Sequence, residues 1–132
     1  MGGKILVADD EAHILHIVSL KLAKAGYEVV TAIDGEEALE LCLAERPDLL
    51  ITDFQMPYLT GLELCQRLSR HDKTKDIPVL VLTARGFEIQ PHKMAGANIV
   101  GVLSKPFSPR EVLAKVQALM GQTDSQKPGE SA

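Results

Sequence analysis

Five short apolar runs, rich in β-branched residues, punctuate this chain, and the stretches between them carry helical periodicity. The runs are KILVA (Lys4 to Ala8), EVVTA (Glu28 to Ala32), LLIT (Leu49 to Thr52), VLVLT (Val79 to Thr83) and VGVLS (Val100 to Ser104). Continuous apolar character marks strands buried on both faces, which is the habit of a parallel sheet covered by helices. The intervening stretches supply those helices. From Glu11 to Ala25, residues Ile14, Leu15, Val18 and Leu22 form one stripe, and Gly26 is a stop. Asp34 with Glu37, and Thr60 with Glu63, have N-cap and capping-box spacing. The first of these two helices ends near Arg46, before Pro47, and the second near Arg70. Ser108, Pro109 and Glu111 spell N-cap, N1 and N3 of a last helix running to Met120, with Gly121 as its stop. The alternation predicts a doubly wound α/β domain, a three-layer sandwich around a five-stranded parallel sheet. One segment departs from the pattern: Pro91 falls inside the stretch after the fourth strand, so the helix there is either short, starting near Pro91, or irregular.

With 132 residues the chain suffices for one domain, burying roughly two thirds of the surface of the unfolded chain. The expected division is a domain over residues 1–121 and a flexible polar tail over 122–132, with any effector module on another chain. No apolar run is long enough to span a membrane. Asp9, Asp10 and Glu11 follow the first strand at once, which is incompatible with a signal peptide and predicts a cytoplasmic protein. The formal net charge of −4 argues against direct nucleic-acid binding, and the absence of Trp weakens any case for a base-stacking platform. Cys42 and Cys65 lack CxxC spacing and read as two half-buried helix thiols.

In a doubly wound sheet, ligands bind beyond the carboxyl ends of the strands. Those ends carry Asp9, Asp10 and Glu11 (first), Asp53 (third), Thr83 (fourth), and Lys105 followed by Pro106 (fifth). Crowded carboxylates repel one another unless a cation is shared. Hard oxygen donors without Cys or His favour Mg²⁺ over zinc or copper. A remaining carboxylate can act as nucleophile on phosphorus, with a Lys charge and a Thr hydroxyl stabilising the transferred oxygens. Each residue alone is commonplace; their conjunction at four strand ends is specific.

VADDE at the first strand end, TDFQMP at the third, LTA at the fourth and SKPF at the fifth resemble the receiver domains of two-component response regulators, over about Lys4 to Met120. The resemblance implies a (βα)5 flavodoxin-like fold. It implies Asp53 as phosphoacceptor, and Asp9, Asp10, Asp53 and the Gln55 backbone carbonyl as holders of Mg²⁺. Thr83 would be the switch hydroxyl and Lys105 the lysine that pairs with the acids at rest and with phosphate when active. A cis bond would precede Pro106. The phosphoryl donor would be a histidine kinase or a phosphotransfer protein, and the output a contact with a downstream protein target. Such a protein is no enzyme beyond catalysing its own phosphorylation and slow dephosphorylation.

Two departures stand out. Val102 occupies the position where the family usually has Tyr or Phe as a rotamer switch, and valine has a stiff χ1. Pro91 interrupts the family's fourth helix. Gln55 and Arg85 stand where the family tunes the lifetime of the phosphoryl group. His13, His16, His71 and His92 read as surface or packing residues. Three alternatives compete. A dehalogenase-type phosphohydrolase needs an acid two residues after its nucleophile, where this chain has Gln55. A flavodoxin-like cofactor binder needs a Gly/Ser/Thr-rich phosphate loop, where this chain has Asp9-Asp10-Glu11. A pseudo-receiver acting as a binding module without phosphorylation would draw on Val102 and Pro91.

Overall fold

The structure, a computed structural model, describes residues 3–56, 59–83 and 98–120. The expectations about Arg85, Pro91, His92, Gly121 and the tail over 122–132 lie outside the described residues.

Five strands form one sheet: β1 (Lys4–Ala8), β2 (Glu28–Ala32), β3 (Leu49–Asp53), β4 (Val79–Thr83) and β5 (Ile99–Ser104). The described helices are α1 (Ala12–Lys24), α2 (Gly35–Glu45), α3 (Gly61–Leu68) and α4 (Pro109–Leu119). The strand order is β2-β1-β3-β4-β5, every pairing parallel. This is the doubly wound architecture that the apolar runs predict, with the flavodoxin-like form that the resemblance implies. β3 reaches one residue further than its apolar run, so Asp53 belongs to the strand, and β5 begins one residue earlier, at Ile99.

Alternation along each strand splits the core in two. Ile5, Val7, Leu49, Ile51, Leu80 and Leu82 face Leu15, Val18 and Leu22 of α1 and Val112 and Val116 of α4. Leu6, Ala8, Leu50, Val79 and Val81 face Ala38 and Cys42 of α2 and Leu64, Cys65 and Leu68 of α3. The central strands β3 and β4 are buried along their whole length, as a sheet covered on both faces requires. Cys42 and Cys65 are fully buried rather than half-buried. They face the sheet as small apolar groups, and burial pushes both thiols up to about 12, which leaves them without thiolate reactivity.

The caps follow the sequence. The Asp34 side chain accepts from Glu37 N–H at 2.8 Å, but the expected box is not closed, because the Glu37 carboxylate accepts from the Ile33 N–H rather than the Asp34 N–H. Thr60 with Glu63 and Ser108 with Glu111 each complete a reciprocal capping box. α1 is the exception: its N-cap is Glu11, whose side chain makes no capping bond. The α2 C-cap, Arg46, takes a left-handed conformation (φ 46°, ψ 64°) while its N–H bonds the Cys42 carbonyl. A side chain there is strained, and glycine is the residue that relieves it. Arg46→Gly is expected to raise stability by about 0.5–1 kcal/mol, read as a higher urea midpoint with unchanged slope.

Candidate functional site

The site lies at the carboxyl edge of the sheet and is assembled by strand ends. β1 ends one residue before Asp9, whose N–H bonds the Ala32 carbonyl at 3.1 Å and so ties the β1 end to β2. Asp9 is fully buried, and its Oδ1 accepts the Glu11 N–H at 2.9 Å. Asp10, next to it, is exposed. Asp53 closes β3 and is 7% exposed. The loop beyond is pinned twice: Phe54 N–H donates to Leu82 O, and Gly61 N–H donates to Phe54 O, both at 2.8 Å. Thr83 closes β4 one residue beyond the Asp53–Leu82 register pair and is buried. Its carbonyl accepts the Lys105 N–H at 2.7 Å, which seats Lys105 at the end of β5. The Lys105–Pro106 peptide bond is cis.

Lys105 Nζ reaches back across the edge. It lies 3.4 Å from Asp9 Oδ2, 3.4 Å from Asp53 Oδ1 and 3.2 Å from Glu11 Oε1. Asp9, Asp10 and Asp53 each offer a carboxylate oxygen, and these oxygens lie within 4.8 Å of one another. Burial pushes the Asp53 carboxyl up to about 6; the Asp9 charge adds to the rise, while Lys105 and the Gln55 N–H oppose it. Burial likewise raises Asp9, against the Glu11 N–H and Lys105. Burial pulls the Lys105 ammonium down, but Asp53, Asp9 and Glu11 outweigh it, so it stands above its ordinary value. One ammonium does not neutralise this group of acids. The surplus negative charge and the all-oxygen donor set fit a hard divalent cation such as Mg²⁺.

Of the residues singled out in the sequence, the structure brings Asp9, Asp10, Asp53 and Lys105 together. It seats Thr83 on the strand between Asp53 and Lys105. Gln55 is exposed, two residues past Asp53, with its N–H directed to the Asp53 carboxylate. Val102 is half-buried, pairs in register with Val81, and packs on the α2/α3 side of the core. Two features escaped the sequence reading: the pairing of Glu11, named there only as a strand-end acid, with Lys105, and the role of Gly61. Glu11 makes the shortest of the three Lys105 contacts; its signal was an acid directly after the acidic pair at a helix start where Glu is a poor cap. Gly61 lies against the acceptor strand, and a Cβ there would stand 2.7 Å from Asp53 O and 2.9 Å from Phe54 Cα. Its signal was a glycine opening an otherwise well-capped helix.

Known proteins match this arrangement. The family model of the response regulator receiver domain covers residues 5–117. The alkaline phosphatase synthesis transcriptional regulatory protein PhoP of Bacillus subtilis is 42% identical over 130 residues, 97% of this chain and 52% of its own length. The chain thus spans about half of that regulator. The chemotaxis response regulator CheY4 of Vibrio cholerae superposes with a TM-score of 0.79 at 37% identity, over 90% of this chain and 99% of that one. The receiver domain of the sensor histidine kinase PA1611 of Pseudomonas aeruginosa shares the fold, with a TM-score of 0.80 at 24% identity over 92% of this chain and 99% of that one. That structure holds a magnesium ion coordinated in its active site cleft.

Two consequences are measurable. The folded Asp53 carboxyl binds its proton more tightly than the unfolded chain does, with a pKa of about 6 against 3.8. Its ionisation therefore costs stability, which falls as pH rises from the unfolded to the folded value and stays lost above it. Without divalent metal, Asp53→Asn is expected to exceed the wild type in stability at pH 7 by on the order of 1–3 kcal/mol. The difference should shrink towards pH 4, as followed by urea denaturation across that range. Gly61→Ala is expected to cost about 1–3 kcal/mol, because the new methyl must displace backbone rather than a flexible side chain; the same denaturation measurement reads it.

Proposed function

This chain belongs to the response regulator receiver domain family, and on that premise we propose that it accepts a phosphoryl group on Asp53 in a two-component phosphorelay. The observation that carries this reading is the placement of Lys105 Nζ at 3.4 Å from both Asp53 and Asp9, two buried acids at adjacent strand ends. A structural ion pair would match one acid to one ammonium; here the acids exceed the base.

In this reading an Asp53 carboxylate oxygen attacks phosphorus in line. The bond from phosphorus to the donor breaks, and the leaving group departs with the electron pair. With a phosphorylated histidine of a kinase or phosphotransfer protein as donor, that bond is P–N and the freed imidazole keeps the pair. Asp53, Asp9, Asp10 and the Gln55 carbonyl would hold Mg²⁺. The ion, when bound, supplies positive charge to the phosphoryl oxygens and lets the acids approach them. Lys105 supplies a point charge to one phosphoryl oxygen, and the Thr83 hydroxyl donates to another. No general base is needed, because the attacking carboxylate carries no proton once ionised.

The product carries roughly −1.5 to −2 charge where Asp53 had one. Thr83 and Lys105 share a backbone hydrogen bond across the β4 and β5 ends, so a pull on either is felt by both strands. The output is a phosphorylation-dependent contact with a downstream protein. Val102, a half-buried aliphatic residue on β5, leaves Thr83, Lys105 and the residues around Pro106 to carry the switch without an aromatic rotamer change. PhoP is a transcriptional regulatory protein of which this chain spans about half; the formal net charge of this chain, −4, favours a protein partner over direct contact with nucleic acid. Among the described residues no helix is long and apolar enough to cross a membrane; the cytoplasm is the proposed place of action. We assign the receiver unit to residues 1–121 and a polar tail to residues 122–132.

Intact-mass spectrometry with Mg²⁺ and acetyl phosphate tests the reading. One added phosphoryl group is expected in the wild type, none in Asp53→Asn, and a loss of at least tenfold in rate for Lys105→Ala. An equal yield from Asp53→Asn would overturn the assignment. No adduct in the wild type, together with unchanged amide NMR spectra on adding beryllofluoride, would instead identify a binding module that works without phosphorylation.

A further inference from the structure

We propose that Glu11 is a positioning residue that holds Lys105 in its resting place and competes for it with the phosphoryl group; this inference rests on the reading of Asp53 as phosphoacceptor.

Three observations point to Glu11. Its Oε1 lies 3.2 Å from Lys105 Nζ, closer than either aspartate oxygen. It stands at the N-cap of α1, yet its side chain makes no capping bond. Glutamate is a poor N-cap beside Ser, Thr, Asp or Asn, and this side chain is spent on Lys105 instead. Finally, its backbone is fixed: the Glu11 N–H donates to Asp9 Oδ1 at 2.9 Å, and its carbonyl accepts from the Ile14 and Leu15 N–H groups, both at 3.1 Å. The carboxylate thus swings from a rigid mount.

Glu11 also differs in kind from the other two acids that touch Lys105. Asp9 and Asp53 belong to the group of carboxylates able to share one cation, and Glu11 does not. A metal ion and a phosphoryl group would neutralise or consume the charge of Asp9 and Asp53. Glu11 would keep its charge, and with it a claim on the ammonium. Lys105 therefore does not become free when its two aspartate partners are satisfied. To meet the phosphoryl oxygen it must leave a half-exposed carboxylate that still attracts it. Glu11 restrains the active state by the strength of that one ion pair. A half-exposed pair of this sort is modest, so the restraint is a matter of a few-fold.

The test measures beryllofluoride affinity in excess Mg²⁺ by amide NMR. The proteins are the wild type, Glu11→Gln, Lys105→Ala and the double variant. Glu36→Gln, which removes the charge of an exposed acid at the start of α2, controls for the change in net charge. Glu11→Gln is expected to bind beryllofluoride roughly two- to fivefold more tightly than the wild type. Glu36→Gln should leave the affinity near the wild-type value, and the Glu11→Gln gain should vanish on the Lys105→Ala background. A gain of the same size from Glu36→Gln, a gain that persists without Lys105, or no gain at all overturns the restraining role. A wild type that binds no beryllofluoride overturns the reading of Asp53, and the role of Glu11 with it.

Discussion

Two buried carboxylates sharing one ammonium are the constraint on which this structure turns. Asp9 is fully buried and Asp53 nearly so, and Lys105 sits at the same distance from each. Burying like charges side by side is costly unless opposite charge and hydrogen bonds offset it. Here the offset is partial. The Glu11 N–H bonds Asp9, the Gln55 N–H bonds Asp53, and Lys105 serves both, yet both acids stay above their ordinary values. The fold tolerates that deficit because the aspartates sit at strand ends whose backbones are already committed to the sheet.

The sheet explains why the deficit can be held without relaxation. β1 and β3 are neighbours in the centre of the order, so Asp9 and Asp53 are brought together by strand pairing rather than by loop conformation. β4 and β5 follow on the same side, bringing Thr83 and Lys105 in turn. Each strand end is then locked by a further bond: Asp9 to Ala32, Phe54 to Leu82, Lys105 to Thr83. Both faces of the sheet are filled by apolar side chains from helices, of which α2, α3 and α4 have side-chain N-caps. A site mounted on such a scaffold keeps its backbone in place while the charges on its side chains change.

Much of this was legible in the sequence, for a physical reason. A parallel strand buried on both faces must be a continuous apolar run, and KILVA, VLVLT and LLIT are such runs. Helix starts were legible where a short polar side chain caps, as at Asp34, Thr60 and Ser108. What escaped involves contacts between distant parts of the chain. Glu11 meets Lys105 across 94 positions of sequence. Gly61 is required by the proximity of the Asp53 carbonyl. The depth of Cys42 and Cys65 depends on how close α2 and α3 lie to the sheet. The end of β3 was missed by one residue because Asp53 is polar. Its place in the strand is set by pairing with Leu82, which periodicity cannot see.

The same surplus of charge bears on how a small chemical event could move a stiff domain. In a site with surplus negative charge, the ammonium that offsets it is the group most affected by further charge. In this one, Lys105 is already divided among three carboxylates, two on the floor of the site and one at its rim. Its position is a compromise that changes when any one of the three changes its charge. Its backbone N–H is tied to the Thr83 carbonyl, which joins the ends of β4 and β5 at the residue whose side chain makes these contacts. An aromatic side chain on β5 would be one way to amplify that shift; Val102 offers none. On the proposed reading, the ion-pair network at the sheet edge, rather than an aromatic rotamer, is the element that charge added at Asp53 would bias.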